Sequence, residues 1–284
     1  MKFGLNVANF GEYFNPNIDA TLALEAEKYG WDGFFLWDHI LGFKDNSVPV
    51  NDPWIVLAAI AVKTRRIRFG ALVTPIARRR PWKVARETIS LDYLSNGRLI
   101  FGVGLGAPSF EDFEMFGEEK SAKVRAEKLD EGLEILTGLW SGKPFRYEGK
   151  HYNLHEMTFL PPPIQCPRIP VWIGGMWPNK NPFRRASEWD GVVPIKKDYS
   201  RIIPEEVSQI CSYIQRFRTS SNRFDIVISG QTPLGDDSNG VEIVSPYSQV
   251  GVTWWLEEIS EWRGSFKEMR ERIRQGPPVE KSII

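Results

Sequence analysis

The chain has 284 residues, 42% hydrophobic and 25% charged, a size and balance that suit one large core and an ordinary globular enzyme. Its 36 Lys and Arg are matched by 36 Asp and Glu, so no global field draws it to nucleic acid or to an anionic membrane, and a small molecule is the expected partner. Two cysteines, Cys166 and Cys211, are too few for a disulfide framework or a thiolate metal site, and no segment approaches a membrane span, which reads as a cytoplasmic protein.

Short β-rich runs alternate with helical patterns from end to end. Phe3 to Val7 reads as a strand, followed by a helix whose Leu22, Ala26 and Tyr29 share a face and which Gly30 closes. Gly33 to Trp37 is the next strand; Asp52 before Pro53 then caps a helix running through Lys63. Ile67 to Val73 is the third strand, Pro81 to Ser95-Asn96-Gly97 a helix, and Arg98 to Val103 the fourth strand. Leu129, Leu133, Leu136 and Trp140 fall at helical spacing, and an insertion over about 141–168 carries a hairpin from Lys143 to Tyr152 that turns near Glu148-Gly149. Val171 to Ile173 is strand five. A helix over Phe183 to Trp189, a strand at Val192-Val193 and a helix placing Val207, Ile210, Cys211, Ile214 and Phe217 on one face come next. Asp225 to Ser229 and Val250 to Leu256 are the last strands, and Phe266, Met269 and Ile273 mark a closing helix.

Trp31-Asp32-Gly33 and Trp189-Asp190-Gly191 each join a helix end to a strand, an internal echo. About eight strand-helix units in one domain spanning residues 1–284 point to an α/β protein, a (β/α)8 TIM barrel with a hairpin insertion before strand five; an open doubly wound sheet is the rival. In the barrel, ligands sit at the carboxyl ends of the strands.

His39, His151 and His155 are the three histidines, and only His39 follows a strand directly, beside Asp38. Imidazole there can move a proton near neutral pH or simply bond backbone, and Asp38 can serve it or cap a loop. No second histidine stands at another strand end, so no metal site is expected. Cys166 lies in a proline-rich connection and Cys211 on an apolar helix face, which makes both packing residues rather than nucleophiles. A mouth so short of reactive groups implies a bound organic cofactor. Glycines from Gly97 to Gly106 let backbone approach a ligand, with Gly104 and Gly106 at the strand end. Gly174-Gly175 after strand five, with a helix to follow, suits a phosphate or a tight turn. Trp177, Trp254 and Trp255 offer flat surface to a planar ring or fill the core. Arg78-Arg79-Arg80 reads first as a solvated loop and second as a partner for an anionic tail.

The motifs in order, Trp37-Asp38-His39, Leu72-Val73-Thr74-Pro75, Leu91 to Gly106, Arg125 to Trp140, the hairpin insertion and Pro170 to Gly175, resemble the luciferase-like monooxygenase superfamily over nearly the whole chain. The resemblance implies a barrel oxidoreductase that binds coenzyme F420, with FMN as the alternative, and a non-proline cis peptide bulging against the ring at Ala71-Leu72. It places Asp38 and His39 near the ring as catalytic residues, Gly104 and Gly106 along the pocket, and Gly174 and Gly175 on the cofactor phosphate. The run from Gly102 to Gly106 with Phe110 to Gly117 resembles the F420-dependent branch. Where sugar-phosphate dehydrogenases of the superfamily carry an acidic residue, this chain has Ala107-Pro108, which argues against that reaction. An FMN-dependent monooxygenase, a flavin-binding protein without turnover and a metal-dependent hydrolase are the other readings, and the superfamily often forms dimers. Substrate selection falls to the loops at Leu41 to Val50, Ser109 to Glu119 and Lys143 to Pro163.

Overall fold

A computed structural model describes residues 1–42, 47–234 and 237–279, with backbone alone for 237–239. In chain order the elements are β1 (Lys2–Val7), α1 (Pro16–Lys28), β2 (Gly33–Leu36), α2 (Pro53–Lys63), β3 (Arg68–Ala71), β4 (Thr74–Pro75), α3 (Pro81–Ser95), β5 (Phe101–Gly104), α4 (Ser109–Asp112), α5 (Ala122–Trp140), β6 (Pro144–Glu148), β7 (Asn153–Thr158), β8 (Val171–Trp177), α6 (Asn181–Ala186), β9 (Gly191–Lys196), α7 (Pro204–Gln215), β10 (Asp225–Gly230), α8 (Asp237–Gln249), β11 (Trp254–Ile259) and α9 (Phe266–Gln275).

Nine parallel strands run in the order β3-β2-β1-β11-β10-β9-β8-β5-β4. The ends meet where Ile100 N–H donates to the Phe69 carbonyl at 2.9 Å, which closes the sheet into a barrel and excludes the open doubly wound alternative. The third stave is split: β3 pairs with β2, and after Ala71 the chain changes partner so that β4 pairs with β5. Eight staves therefore hold nine strands.

Local chemistry sets many element ends. Asp52 Oδ1 accepts from the N–H groups of Trp54 and Ile55 and caps α2, with Pro53 at the first helical position. Asn96 at φ 55° and Gly97 at φ 76° close α3 in the left-handed region. The repeated Trp-Asp-Gly does the same work twice. Asp32 accepts from Phe3 N–H at 2.9 Å and Asp190 from Val171 N–H at 2.7 Å, so each carboxylate binds the foot of the preceding stave in its half of the barrel.

Large side chains plug the barrel. Phe35, Trp172 and Trp254 meet with ring centroids 5.2 to 5.8 Å apart, together with Ile100, Val193, Val227 and Leu256. Gly33 makes room: a Cβ there would fall 2.6 Å from Phe35 and 2.8 Å from Trp254. The larger core lies outside, between sheet and helices.

Several boundaries differ from the sequence reading. Strand five runs on to Trp177, which puts Gly174 and Gly175 inside β8, opposite Val193 and Pro194. Tyr29 and Phe217 lie past their helices and are exposed. The helix α8 escaped notice because it carries Gly240 and Pro246. The hairpin β6–β7 packs along α5 and α3, through Glu131 to the Lys150, His151 and Tyr152 amides and Tyr152 to Trp82, instead of covering the mouth. It starts where α5 ends, at the foot of the barrel, and so rises along the outer layer. Part of the Leu41 to Val50 loop, residues 43–46, lies outside the described residues. No helix among the described residues is long and apolar enough to cross a membrane.

The closing helix is tied back to α1 by Arg270 and Arg274, which both bind Glu25 and hold its carboxyl down at about pKa 2. A depressed carboxyl stabilises the fold above its unfolded value and loses that contribution as pH falls through the folded one. Stability should therefore drop between pH 4.5 and about 2 in wild type, and Glu25→Gln should remove part of that slope in urea unfolding measured across the same range.

Candidate active site

Side chains alternate in and out along each stave, so the residues facing the mouth lie two positions beyond the plug. Past Leu256 stands Glu258, past Val227 stand Ser229 and Gln231, and Asn6 lies opposite Glu258 in register. These form a polar arc. Trp37 Nε1 donates to Asn6 Oδ1 at 2.9 Å, Asn6 Nδ2 to Ser229 Oγ at 3.3 Å, and Gln231 Nε2 to Glu258 Oε2 at 2.9 Å. The other half of the mouth is apolar, with Leu72, Val73, Met176 and Ile195. Phe10, Trp37 and Trp262 pack together at the rim with each pair of centroids 5.5 Å apart, and His39 meets Trp37 edge-on at 5.9 Å.

Asp38 and His39 both follow β2, but they do not bind one another. Asp38 is buried; its Oδ1 accepts from Arg78 Nη2 at 2.7 Å and Arg79 Nη2 at 3.1 Å, and its Oδ2 from Trp54 Nε1 at 3.2 Å. His39 Nδ1 instead faces Asp112 Oδ2 at 3.4 Å, while Asp112 Oδ1 lies 3.1 Å from Arg78 Nη1. Two carboxylates and two guanidiniums thus neutralise each other across the loops after β2, β4 and β5. The arginine run is not a solvated loop: the Arg78 side chain is 3% exposed and Arg79 19%. Only Arg80 is exposed. Asn9 holds the His39 peptide, donating to its carbonyl at 2.9 Å and to that of Asn51 at 3.0 Å. Asn51 in turn donates to Asp19, whose carboxyl burial pushes well above the ordinary range. No group of three metal-binding side chains occurs among the described residues.

The non-proline cis peptide falls at Leu72-Val73, one residue beyond Ala71-Leu72. Leu72 N–H still donates to the Leu36 carbonyl at 2.7 Å, so the chain leaves the ladder only after it. Val73 then lies over two glycines: a Cβ on Gly104 would come within 2.6 Å of Val73 Cγ2, and one on Gly174 within 2.7 Å of Val73 Cγ1. Gly175 faces the other way, against Pro182 and Phe183 of α6. Gly106, at φ 79°, turns the loop, and its carbonyl and that of Leu105 accept from the buried Arg125. Trp254 and Trp255 lie at the start of β11, far down the stave, and are core. Trp177 ends β8 but is buried against Phe183 at 5.3 Å. Sequence reasoning missed Asp112 and Trp262 and named Arg78 without its aspartate partners; Asp112 and Arg78 sit in short rim turns where no periodicity marks a buried side, and only the aromatic character of Trp262 offered a signal.

The luciferase-like monooxygenase model matches residues 11–243, and the chain belongs to that family. An F420-dependent glucose-6-phosphate dehydrogenase of Microbacterium testaceum is 30% identical over 181 residues, 63% of this chain and 52% of that protein. The oxygenase component of a flavin-dependent trigonelline monooxygenase of Acinetobacter baylyi is 31% identical over 138 residues, 49% of this chain and 38% of that one. The chain spans about half the length of the F420-dependent relatives it matches. Among solved structures, the coenzyme F420 dependent tetrahydromethanopterin reductase from Methanopyrus kandleri superposes with a TM-score of 0.75 at 18% identity, covering 96% of both chains. An F420-dependent secondary alcohol dehydrogenase in complex with an F420-acetone adduct gives 0.77 at 16% identity, over 90% and 92%. These likenesses show a shared fold.

Replacing Asp38 by alanine strands two arginines with one carboxylate between them. The expected loss is about 3–5 kcal/mol of unfolding free energy in urea, and a loss below about 1 kcal/mol would show that the network is dispensable.

Proposed function

We propose that the protein is an oxidoreductase acting on a small organic molecule with bound coenzyme F420. The observation that carries this reading is the platform made by Leu72 and Val73 over Gly104 and Gly174, with hydrogen-bonding side chains confined to the opposite arc. A planar tricyclic ring needs one apolar face and polar partners at its edge, and the residues present fit it. Leu72, Val73, Gly104 and Gly106 would border the ring. Gly174 and Gly175 would lie toward its phosphate, beside a cleft of about 480 Å³ lined by Trp177, Pro178, Lys196, Lys197, Asp198 and Glu206, in which Lys196 is paired with Glu206 and Lys197 would be the cation to meet the phosphate. When bound, such a ring supplies a two-electron carrier, which the side chains here do not. F420 is preferred to FMN because F420-dependent proteins recur among the relatives, although flavin-dependent ones occur too.

The chain's own residues have separable roles in this reading. His39 would orient the substrate and hold or give a proton at Nε2, since Nδ1 is turned to Asp112. Asp112 keeps that orientation. Asp38 is assigned to the rim's ion network and not to the ring, because both its oxygens are taken. Ala107-Pro108 stands where a sugar-phosphate dehydrogenase has its acid, so glucose 6-phosphate is not the substrate proposed.

Parallel titrations with F420 and FMN test the cofactor. Tight binding of F420 is expected; selective binding of FMN would move the reading to a monooxygenase, and binding of neither would overturn it. His39→Ala should lower turnover of the loaded protein about 100-fold with an unchanged unfolding midpoint, and unaltered turnover would remove the histidine from the chemistry.

A further inference from the structure

We infer that the polar arc of the mouth is shaped for an organic cation, a quaternary ammonium or an N-alkylated aromatic ring; this rests on the mouth being the substrate site of the proposed oxidoreductase. Glu258 is the first ground. It points into the mouth from β11, half-buried, and its carboxylate is met by the neutral Gln231 amide. Among the described residues Glu258 enters no ion pair. The arginines on this edge, Arg263 and Arg272, are bound to the outward-facing Glu257 instead. A carboxylate that opens on the mouth and is met there by a neutral amide keeps its charge available to a cationic ligand.

The second ground is aromatic. Phe10, Trp37 and Trp262 stand together at the rim, and Trp262 keeps 61% of its surface exposed. Asn6 joins the two features, because it pairs in register with Glu258 and accepts from Trp37 Nε1. Indole faces beside a carboxylate attract a cation sheathed in carbon, which a bare metal ion or a sugar would not exploit. On the β9 side Lys196 is paired with Glu206 at 2.8 Å and Lys197 stands beside Asp198, so that edge carries balanced charge and offers an organic cation no rival carboxylate free of a lysine.

Calorimetric titration of the full chain with N-methylpyridinium, with toluene as its uncharged isostere and with benzoate as an anion, tests the inference. N-methylpyridinium should bind about tenfold or more tightly than toluene, and benzoate should not bind. Glu258→Gln, which keeps shape, should reduce the preference about tenfold, and Trp262→Ala should weaken N-methylpyridinium several-fold. Equal binding of toluene, tighter binding of benzoate, or an unaltered preference in Glu258→Gln overturns the inference. If Trp262→Ala fails to fold, Glu258→Gln decides alone. F420 and FMN are titrated into the same preparation. Cofactor binding without the cation preference sinks only this inference; the preference without cofactor binding sinks the oxidoreductase reading and leaves a cation-binding barrel.

Discussion

Asp38, Asp112, Arg78 and Arg79 form a buried, charge-balanced knot on which the shape of the mouth depends. They come from short turns at the tops of three staves, Arg78 and Arg79 sharing one, where backbone alone gives little reason for one conformation. Burying four charges is expensive, and the cost is offset only when every guanidinium finds its carboxylate. That requirement removes the alternatives. The loop after β2 must present Asp38 inward, the loop after β4 must fold its arginines back, and α4 must bring Asp112 across. His39 is set by this arrangement from one side and by the Asn9 clamp from the other.

The knot also explains why the third stave can break. At Leu72-Val73 the chain leaves β2 and joins β5, a transfer that would leave the rim loose if only hydrogen bonds of the sheet held it. The arginines that follow within a few residues anchor the far side of the break. Val73 can then rest on Gly104 and Gly174, where any Cβ would collide with it. The rearrangement brings Leu72 and Val73 to the apolar half of the opening, across from the polar side chains of β1, β10 and β11.

What could be read from the sequence was what local chemistry decides. The Asp52 cap, the Asn96-Gly97 stop and the alternation of strand and helix depend on residues a few positions apart. The positions of Asp38-His39 and of Gly104 and Gly106 at strand ends were legible for the same reason. Partners were not. Asp38 was assigned to His39 because the two are adjacent in sequence, whereas its partners stand 16 to 41 positions away. Gly174-Gly175 read as a phosphate loop or a tight turn after the strand, and only the pairing with β9 and the packing of Val73 and α6 reveal that the strand continues through them. Trp254 and Trp255 looked like ring-binding surface until the register put them at the foot of β11.

Asp32 and Asp190 bind the Phe3 and Val171 amides, near the starts of β1 and β8, at the end of the barrel opposite the mouth. With a side-chain repeat of two, the alignment chosen at the foot of a stave decides which residue looks inward at its top. A slip of one position between β1 and its neighbours would withdraw Asn6 and turn Leu5 or Val7 to the opening. The two aspartates therefore act as an index mark for the opposite end of the molecule: they touch no ligand, yet they help decide which side chains any ligand meets.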